Sequence, residues 1–189
     1  MLSCRDLSKS FEGHMVLDHV TFDIEDGGIR CLMGASGSGK TTLLRILLGL
    51  EQADRGRVDG LPADGFSAVF QENRLLEHLT PLDNLKIVSK GKFDQKFALG
   101  QLKMILPEDC LHQPVRELSG GMKRRVAIVR AMMAKSGAVV MDEPFTGLDE
   151  ECRLQVIAYI LRERRGRSLI VATHQEEDAG LLGAEILTV

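Results

Sequence analysis

A glycine-rich segment near the start of the chain reads Gly34-Ala35-Ser36-Gly37-Ser38-Gly39-Lys40-Thr41. It follows the apolar run Ile29–Met33, a predicted strand, and leads into Thr41–Leu48, a predicted apolar helix. Glycines allow the backbone to curl so that its N–H groups point inward, and a helix start adds partial positive charge. Lys40 can then reach the outer phosphates of a ligand, and the Thr41 hydroxyl can bind Mg²⁺. The pattern predicts a phosphate-binding loop, because a plain glycine-rich turn would not need the Lys-Thr ending.

Two acids follow the apolar run Ala138–Met141, which predicts a strand buried on both faces. In an open α/β sheet, ligands lie beyond the carboxyl ends of the strands. Asp142 is therefore a candidate for holding Mg²⁺, directly or through water, and Glu143 is the candidate base for an attacking water. An apolar run that ends in two acids more often marks a strand leaving the core. The phosphate-binding loop in the same chain favours the catalytic interpretation.

A second candidate anion site is the start of a predicted helix at Leu118-Ser119-Gly120-Gly121-Met122. A Ser-Gly-Gly start exposes backbone N–H groups, which favours a phosphate. The alternative is an N-cap followed by a basic face in solvent, because Lys123, Arg124 and Arg125 fall largely off the predicted buried stripe. That stripe consists of Met122, Val126, Val129 and Met133. A second anion site is useful if it covers the γ-phosphate held by another copy of the chain.

The remaining pattern predicts a sheet covered by helices. Val16–Ile24 alternates apolar and polar residues, as a half-buried antiparallel strand does. Further strands are predicted at Ser67–Phe70 and Leu169–Ala172. The middle of the chain differs, since it predicts helices at Pro81–Lys90 and Asp94–Ile105. This part is expected to form a small helical insert within an α/β core.

The composition disfavours several classes of protein. Hydrophobic residues make up 44% and charged residues 27% of the 189 residues, as in an ordinary globular domain. A net charge of −3 and a pI near 6.0 disfavour nucleic acid as a partner. The cysteines form no CxxC pair, so a metal site built on Cys4, Cys31, Cys110 and Cys152 is not expected. No apolar run approaches the roughly 20 residues of a membrane helix, and a cytoplasmic protein is expected.

Three segments stand in the order and spacing of an ABC transporter ATPase, namely Gly34–Thr41, Leu118–Met122 and Val140–Asp149. The chain resembles that family over nearly its whole length. The resemblance implies roles for further residues. Gln71 matches the Q-loop glutamine, which touches Mg²⁺ and senses the permease in the family. Gly147-Leu148-Asp149 matches the D-loop, and His174 matches the switch histidine that contacts the γ-phosphate. Phe11 stands where the family places an aromatic residue against adenine, more commonly tyrosine.

The resemblance also implies a fold and a set of ligands. The expected fold is an α/β P-loop NTPase of ABC type, whose mixed central sheet has antiparallel strands at its N-terminal side. One domain is expected over 1–189, with a core of about 1–71 and 118–189 and a helical subdomain of about 72–117. ATP and Mg²⁺ are the implied ligands, and the residues expected at the metal are Thr41, Gln71 and Asp142. The expected catalytic residues are Glu143, His174, Lys40 and Gln71. The residues expected to contact ATP are Phe11, Gly34, Ala35, Ser36, Gly37, Ser38, Gly39, Lys40, Thr41, Thr42, Ser119, Gly120, Gly121 and Asp149.

The implied assembly is a head-to-tail pair of copies. In each shared site, Ser119–Met122 of one copy meets a set of residues from the other, namely Gly34–Thr42, Gln71, Asp142, Glu143 and His174. Hydrolysis of ATP then opens the pair, and this motion drives a membrane permease. Residues 70–76 and 79–85 resemble the importer branch that serves nitrate, sulfonate or thiamine-precursor uptake. The chain is therefore expected at the cytoplasmic face of the cell membrane, with permease subunits and a solute-binding protein as further partners.

Two other classes of protein carry related motifs. A soluble mechanical ABC protein, acting in DNA repair or on the ribosome, is the main alternative. Repair members carry a long coiled coil in the insert, whereas residues 71–118 show no sustained heptads. Ribosome-acting members usually carry two ATPase domains in one chain. A P-loop small-molecule kinase is disfavoured because it has no use for Leu118–Met122.

Overall fold

The computed structural model describes residues 1–89 and 91–189. These residues form two compact units. The first unit contains residues 1–66, 136–143 and 166–189, and the second contains residues 67–135 and 144–165. Within the described ranges, no helix combines the length and the apolar character that crossing a membrane requires.

Strands and helices are distributed along the described residues as follows. The strands are β1 (Leu2–Phe11), β2 (His14–Ile24), β3 (Ile29–Met33), β4 (Arg55–Asp59), β5 (Phe66–Val69), β6 (Ala138–Asp142), β7 (Ser168–Ala172) and β8 (Glu185–Thr188). The α-helices are α1 (Lys40–Leu47), α2 (Pro81–Lys86), α3 (Gln95–Lys103), α4 (Gly120–Met133), α5 (Glu150–Glu163) and α6 (Glu176–Leu182). Two short 3₁₀ helices, Glu108–Cys110 and Val115–Glu117, precede α4.

An antiparallel sheet in the first unit has the strand order β2-β1-β4. β1 and β2 form a hairpin in which Phe11 pairs with His14. The two residues between them, Glu12 and Gly13, have φ angles of 50° and 82°. Positive φ at both positions gives a turn whose twist matches that of the flanking strands. The hairpin confirms the antiparallel strand predicted at Val16–Ile24.

A parallel sheet in the same unit contains β6, β7, β3 and β8 as neighbours in that order. Every residue of β6 is buried, and so are the last four residues of β7. Burial on both faces explains why these strands are continuous apolar runs rather than alternating ones. Asp142 pairs with Ala172, which in turn pairs with Leu32. The carboxyl ends of β3, β6 and β7 therefore lie side by side at one edge of the sheet.

The core of the first unit fixes the position of α1. Leu43 and Leu44 of α1 are buried with Leu7 and Ile24 of the antiparallel sheet and with Val140 of β6. Complete burial of one such side chain stabilises the fold by roughly 1.5–3 kcal/mol. Because α1 is held on its apolar side, its N-terminus and the loop before it are held at the sheet edge.

The second unit is helical. α4 packs against α2, α3 and α5. The side chains of Thr80 and Asp94 cap α2 and α3 by accepting backbone N–H bonds. A buried hydrogen bond of 2.8 Å joins Tyr159 Oη on α5 to Gln101 Oε1 on α3. This bond pairs two buried polar side chains and links α3 to α5.

The structure confirms the expected fold class, with both antiparallel and parallel strands alongside several helices. It differs from the predictions in the helices. α2 ends at Lys86 rather than at the predicted Lys90, which lies outside the described residues. Arg124 is only 6% exposed, so the alternative of a basic face in solvent does not hold for this residue. The helical subdomain of about 72–117 lies inside the second unit, which also contains α4 and α5, and its boundaries stay a prediction.

Candidate active site

The predicted phosphate-binding loop connects β3 to α1, and its shape depends on glycine. A Cβ atom on Gly34 would lie 2.5 Å from Ser38 Oγ, and one on Gly39 would lie 2.6 Å from the Val16 carbonyl oxygen. Gly39 is the N-cap of α1 and has a φ of 100°, which disfavours other residues. Ser38 Oγ is buried and has no hydrogen-bond partner among the described residues. Since an unpaired buried hydroxyl is costly, the loop fits a ligand with polar atoms.

Lys40 closes the loop from inside. Its Nζ donates hydrogen bonds to the carbonyl oxygens of Gly34 at 2.7 Å and of Ala35 at 2.9 Å. The residue is 8% exposed, and a buried ammonium group requires acceptors of this kind. The positive charge is thereby held across the curled backbone, where an anion would be attracted.

A hydroxyl and a carboxylate meet at the end of β6. Thr41 Oγ1 donates a hydrogen bond of 2.8 Å to Asp142 Oδ2. Asp142 is 5% exposed, so this polar contact lies at the edge of the apolar core. Both groups offer oxygen atoms, which are the ligands that Mg²⁺ prefers. The donor set therefore fits the predicted Mg²⁺ site.

Glu143 leaves β6 in a strained backbone conformation. Its φ of 48° lies in the left-handed region, which costs a non-glycine residue roughly 1–3 kcal/mol. The strain is maintained by a backbone hydrogen bond of 2.9 Å from Glu143 N to the Ala172 carbonyl oxygen. Such strain is common where a side chain must be aimed at a reacting group.

The Glu143 carboxylate is paired with His174. Nδ1 of His174 lies 2.9 Å from Glu143 Oε2, and the two side chains are 58% and 19% exposed. His174 follows Thr173, whose buried hydroxyl donates to Asp178 Oδ2 at 2.7 Å. Thr173 Oγ1 also accepts the backbone N–H of Gln175. These bonds fix the backbone on both sides of His174, so the imidazole is held against the carboxylate.

The predicted anion site in the second unit lies at the start of α4. Ser119 is the N-cap, and its Oγ accepts the backbone N–H of Met122 at 3.2 Å. A Cβ atom on Gly120 would have no neighbour within 4 Å among the described residues. A Cβ atom on Gly121 would lie 3.2 Å from the Gly147 carbonyl oxygen. The first glycine therefore faces open space, whereas the second packs against the predicted D-loop.

A cavity of about 510 Å³ opens beside this helix start. It is lined by residues of the second unit, including Asn73, Ser119, Arg125 and Asp149. Asp149 caps α5, because its Oδ1 accepts the backbone N–H of Cys152 at 2.8 Å. This backbone hydrogen bond lowers the pKa of Asp149 below its ordinary value. The carboxylate therefore stays ionised at the rim of the cavity.

Two predicted contacts are less constrained by the structure. Phe11 is 42% exposed at the end of β1, and Lys9 Nζ lies 5.0 Å from its ring centroid. Gln71 is exposed, and its backbone carbonyl oxygen accepts a hydrogen bond from Arg124.

The burial of Arg124 is not among the predictions from sequence. Helical spacing gives a partial signal, because Arg124 stands three, four and seven positions before the buried residues Ala127, Ile128 and Ala131. The carbonyl oxygens that make its burial favourable come from a distant segment of the chain.

The described structure thus contains two groups of predicted site residues. In the first unit, Lys40 and Thr41 lie with Asp142 at the sheet edge, and Glu143 is paired with His174. In the second unit, the cavity beside α4 is lined by Ser119, Gly120, Gly121 and Asp149. The first group combines a fixed cation, oxygen ligands for a metal and a carboxylate base. The second offers backbone N–H groups at a helix start.

Three solved structures are similar to this chain over at least 92% of its length. The dimeric structure of MJ0796, a bacterial ABC transporter cassette, has a TM-score of 0.87 and 28% identity, and covers 100% of this chain and 94% of that chain. A dimeric post-hydrolysis state of MJ0796 bound to ADP and Pi has a TM-score of 0.86, 28% identity and the same coverage. A putative ABC transporter ATP-binding protein from Pyrococcus furiosus has a TM-score of 0.82 and 26% identity, with 92% and 91% covered.

The sequence itself matches a family model. The model described as ABC transporter covers residues 17–146, which contain the phosphate-binding loop, the start of α4 and the two acids Asp142 and Glu143. This range is more than half of the chain. The chain therefore belongs to the ABC transporter family, as an ATP-binding cassette.

Proposed function

We propose that this chain hydrolyses ATP in a head-to-tail pair of identical copies and that this cycle powers a membrane permease. The observation that carries the proposal is the hydrogen bond of 2.8 Å between Thr41 Oγ1 and Asp142 Oδ2. It brings the end of the phosphate-binding loop to the carboxylate that directly precedes Glu143. The residues that would hold the phosphates, the metal and the attacking water are therefore close together, as cleavage of the bond between the β- and γ-phosphates requires.

The loop is proposed to hold the β- and γ-phosphates of ATP. Its inward backbone N–H groups and the start of α1 attract anions without any rearrangement. Lys40 already lies across the loop, and its ammonium can exchange the carbonyl oxygens of Gly34 and Ala35 for phosphate oxygens. Ser38 Oγ, unpaired among the described residues, is a further donor for the same group. Phe11 is proposed to stack on adenine.

Thr41 and Asp142 are proposed to hold Mg²⁺, with Gln71 as a further contact. Bound Mg²⁺ neutralises charge on the phosphates and orients them for in-line attack. Thr41 and Asp142 keep their oxygen atoms together through their mutual hydrogen bond.

Glu143 is proposed to be the general base. Its carboxylate can accept a proton from the attacking water, and His174 holds it in place at 2.9 Å. The left-handed backbone at Glu143 directly follows Asp142, the last residue of β6. His174 is also proposed to contact the γ-phosphate, as the family resemblance implies.

The second copy is proposed to contribute Ser119, Gly120 and Gly121, with Asp149 close by. The helix start of α4 presents N–H groups, and Gly120 has open space in front of it. These N–H groups can donate hydrogen bonds to the γ-phosphate held by the other copy. Two solved structures of MJ0796 are dimeric, and one of them holds ADP and Pi. These findings support the two-copy arrangement.

Transport is the proposed output, at the cytoplasmic face of the cell membrane. The match to the ABC transporter family supports it. Residues 70–76 and 79–85 support the narrower proposal of a small-solute importer with permease subunits and a solute-binding protein. Purification of the chain from membranes, with and without co-expressed candidate permease subunits, tests this part. A chain that never associates with a permease would favour a soluble mechanical role.

The pairing is tested with Glu143→Gln, which removes the base and keeps the shape of the side chain. Size-exclusion chromatography is run with and without ATP and Mg²⁺, and Glu12→Gln on the β1–β2 turn serves as the control. ATP is expected to convert Glu143→Gln from monomer to dimer, while the control turns over its ATP and elutes as the wild type does. A Glu143→Gln protein that binds ATP and stays monomeric would contradict closure of the isolated pair.

A further inference from the structure

We propose that Arg124 is a positioning residue that ties residues 70–74, here called the 70–74 segment, to the start of α4. The inference rests on the proposed function, because Gln71 lies in this segment and Ser119 begins this helix. Arg124 stands in the second turn of α4 and is 6% exposed. Its Nη1 donates to the Phe70 carbonyl oxygen and its Nη2 to the Gln71 carbonyl oxygen, both at 2.5 Å.

The 70–74 segment belongs to no helix or strand. Arg74 has a φ of 46°, and its guanidinium lies 3.7 Å from the centroid of the Phe70 ring. Arg130, further along α4, donates to the carbonyl oxygens of Asn73 at 3.0 Å and of Arg74 at 2.7 Å. Four of the five carbonyl oxygens of the segment are therefore held by two arginines of a single helix, which keeps a strained loop in one conformation.

Arginine suits this role because its guanidinium is a planar fork with fixed N–H directions. Two donors of Arg124 reach consecutive carbonyl oxygens, so both peptide groups are oriented relative to α4. A lysine would present a point charge on a flexible stem and would orient the two groups less firmly. The buried guanidinium needs acceptors, because an unpaired buried charge is costly. The hydrogen bonds therefore stabilise the position of Arg124 as well as that of the two peptide groups.

The consequence is a mechanical link between two predicted contact groups. A helix moves as a rigid element, so a shift of the 70–74 segment is transmitted through Arg124 to the N–H groups at Ser119. In the proposed pair, Gln71 acts in the site of its own copy while Ser119 acts in the site of the other. Arg124 therefore lets a permease that displaces the segment change the γ-phosphate contact of the partner copy.

The restraint itself is measured without nucleotide, by trypsin cleavage of the Arg74–Leu75 bond. Arg124→Met keeps the length and apolar stem of the side chain and removes the fork. Lys123→Met is the matched control, because it removes a charge from the neighbouring position, whose ammonium pairs with Glu77. Cleavage after Arg74 is expected to be at least about tenfold faster in Arg124→Met than in either the wild type or the control. Unfolding midpoints show that each variant is folded, and Arg124→Lys, with a smaller effect in the same direction, serves if Arg124→Met does not fold.

The coupling is measured by ATP hydrolysis in a double-mutant cycle with Gln71→Ala. Alone, Arg124→Met is expected to lower kcat by about tenfold and to leave KM within about twofold, since it acts through the segment that carries Gln71. Added to Gln71→Ala, it is expected to lower kcat by less than about twofold more. If Arg124 had only a structural role, Arg124→Met would lower kcat by the same factor in the wild type and in Gln71→Ala.

The outcomes separate the inference from the proposed function. Unchanged cleavage after Arg74 in Arg124→Met would overturn the restraint, whatever the enzyme does. Three results would overturn the coupling. The first is faster cleavage of Arg124→Met with full ATP turnover, and the second is a loss of kcat that adds to that of Gln71→Ala. The third is complete recovery of kcat in Arg124→Lys. A wild-type chain that hydrolyses no ATP would overturn the proposed function, while the cleavage result would still decide whether Arg124 restrains the segment.

Discussion

Nδ1 of His174 lies 2.9 Å from Oε2 of Glu143. Glu143 directly follows β6, and His174 is the second residue after β7. The two strands are neighbours in the parallel sheet. Ala172, which precedes Thr173, also accepts the backbone N–H of Glu143. The same strand thus fixes both the backbone and the side chain of the proposed base.

Loss of the base is expected to slow hydrolysis without loss of binding. Glu143→Gln should lower kcat by on the order of 10²–10⁴-fold, the usual contribution of a general base. The Kd for ATP should stay within about twofold, because the phosphate contacts are made by other groups. Phosphate release measures kcat, and equilibrium titration with a fluorescent ATP analogue measures Kd. Near-normal hydrolysis by this variant would remove Glu143 from the role of base.

His174→Ala tests whether the imidazole orients the base. It removes the partner at 2.9 Å and leaves Glu143 in place, so kcat should fall while the unfolding midpoint changes little, since His174 is exposed. His174→Ala/Glu143→Gln should be no slower than Glu143→Gln alone, because residues that act as one unit are not additive. Independent, multiplying losses would show that His174 acts through another group.

Lys40→Ala is expected to lose affinity for the nucleotide itself. Lys40 is buried and its ammonium lies across the loop, so its substitution by alanine removes this positive charge from the curl. The Kd for ATP should rise by at least about tenfold, as expected for loss of a charged hydrogen bond. Lys96→Ala, an exposed substitution on α3, is the control. Equal Kd values for Lys40→Ala and the wild type would contradict the phosphate-binding role of the loop.

The parts of the fold that could be predicted from sequence are those specified locally. The loop before α1 has its glycines, lysine and threonine within eight consecutive positions, and β6 and β7 are apolar along their length because both faces are buried. These signals need no knowledge of distant contacts. The fold class follows from them and from the hairpin at Glu12 and Gly13.

The parts that could not be predicted depend on contacts between distant segments. The left-handed backbone of Glu143 is stabilised by a bond to Ala172, which is 29 positions away in the sequence. The burial of Arg124 depends on carbonyl oxygens of Phe70 and Gln71, more than 50 positions before it. A charged residue at such a position normally predicts exposure. Only the folded loop supplies the acceptors that make burial favourable.

The cap of α5 predicts a pH-dependent contribution to stability. The backbone N–H of Cys152 lowers the pKa of Asp149 below its ordinary value of 3.8. A carboxyl whose pKa is lower in the folded state stabilises the fold above its unfolded pKa and loses this effect as the pH falls through its folded pKa. Asp149→Asn keeps a capping side chain but not the charge. It should lower the free energy of unfolding at pH 7 relative to the wild type, and the difference should shrink below pH 3.8. A difference in urea unfolding that is constant across this range would contradict the assignment.

The two glycines at the start of α4 give a matched test of the shared site. Gly120→Ala adds a methyl group that has no neighbour within 4 Å in the described part of the chain, whereas Gly121→Ala brings one to 3.2 Å from the Gly147 carbonyl oxygen. Gly121→Ala should therefore lower the unfolding midpoint, and Gly120→Ala should leave it unchanged or raise it, since alanine favours helix.

If a nucleotide bound to another copy occupies the space before Gly120, Gly120→Ala should still lower kcat by at least about tenfold, while binding of ADP to the monomer stays normal. Activity would then fall without a loss of stability, whereas a folding defect within one copy would lower both. Full ATP turnover by Gly120→Ala would mean that this helix start never meets the phosphate of a second copy.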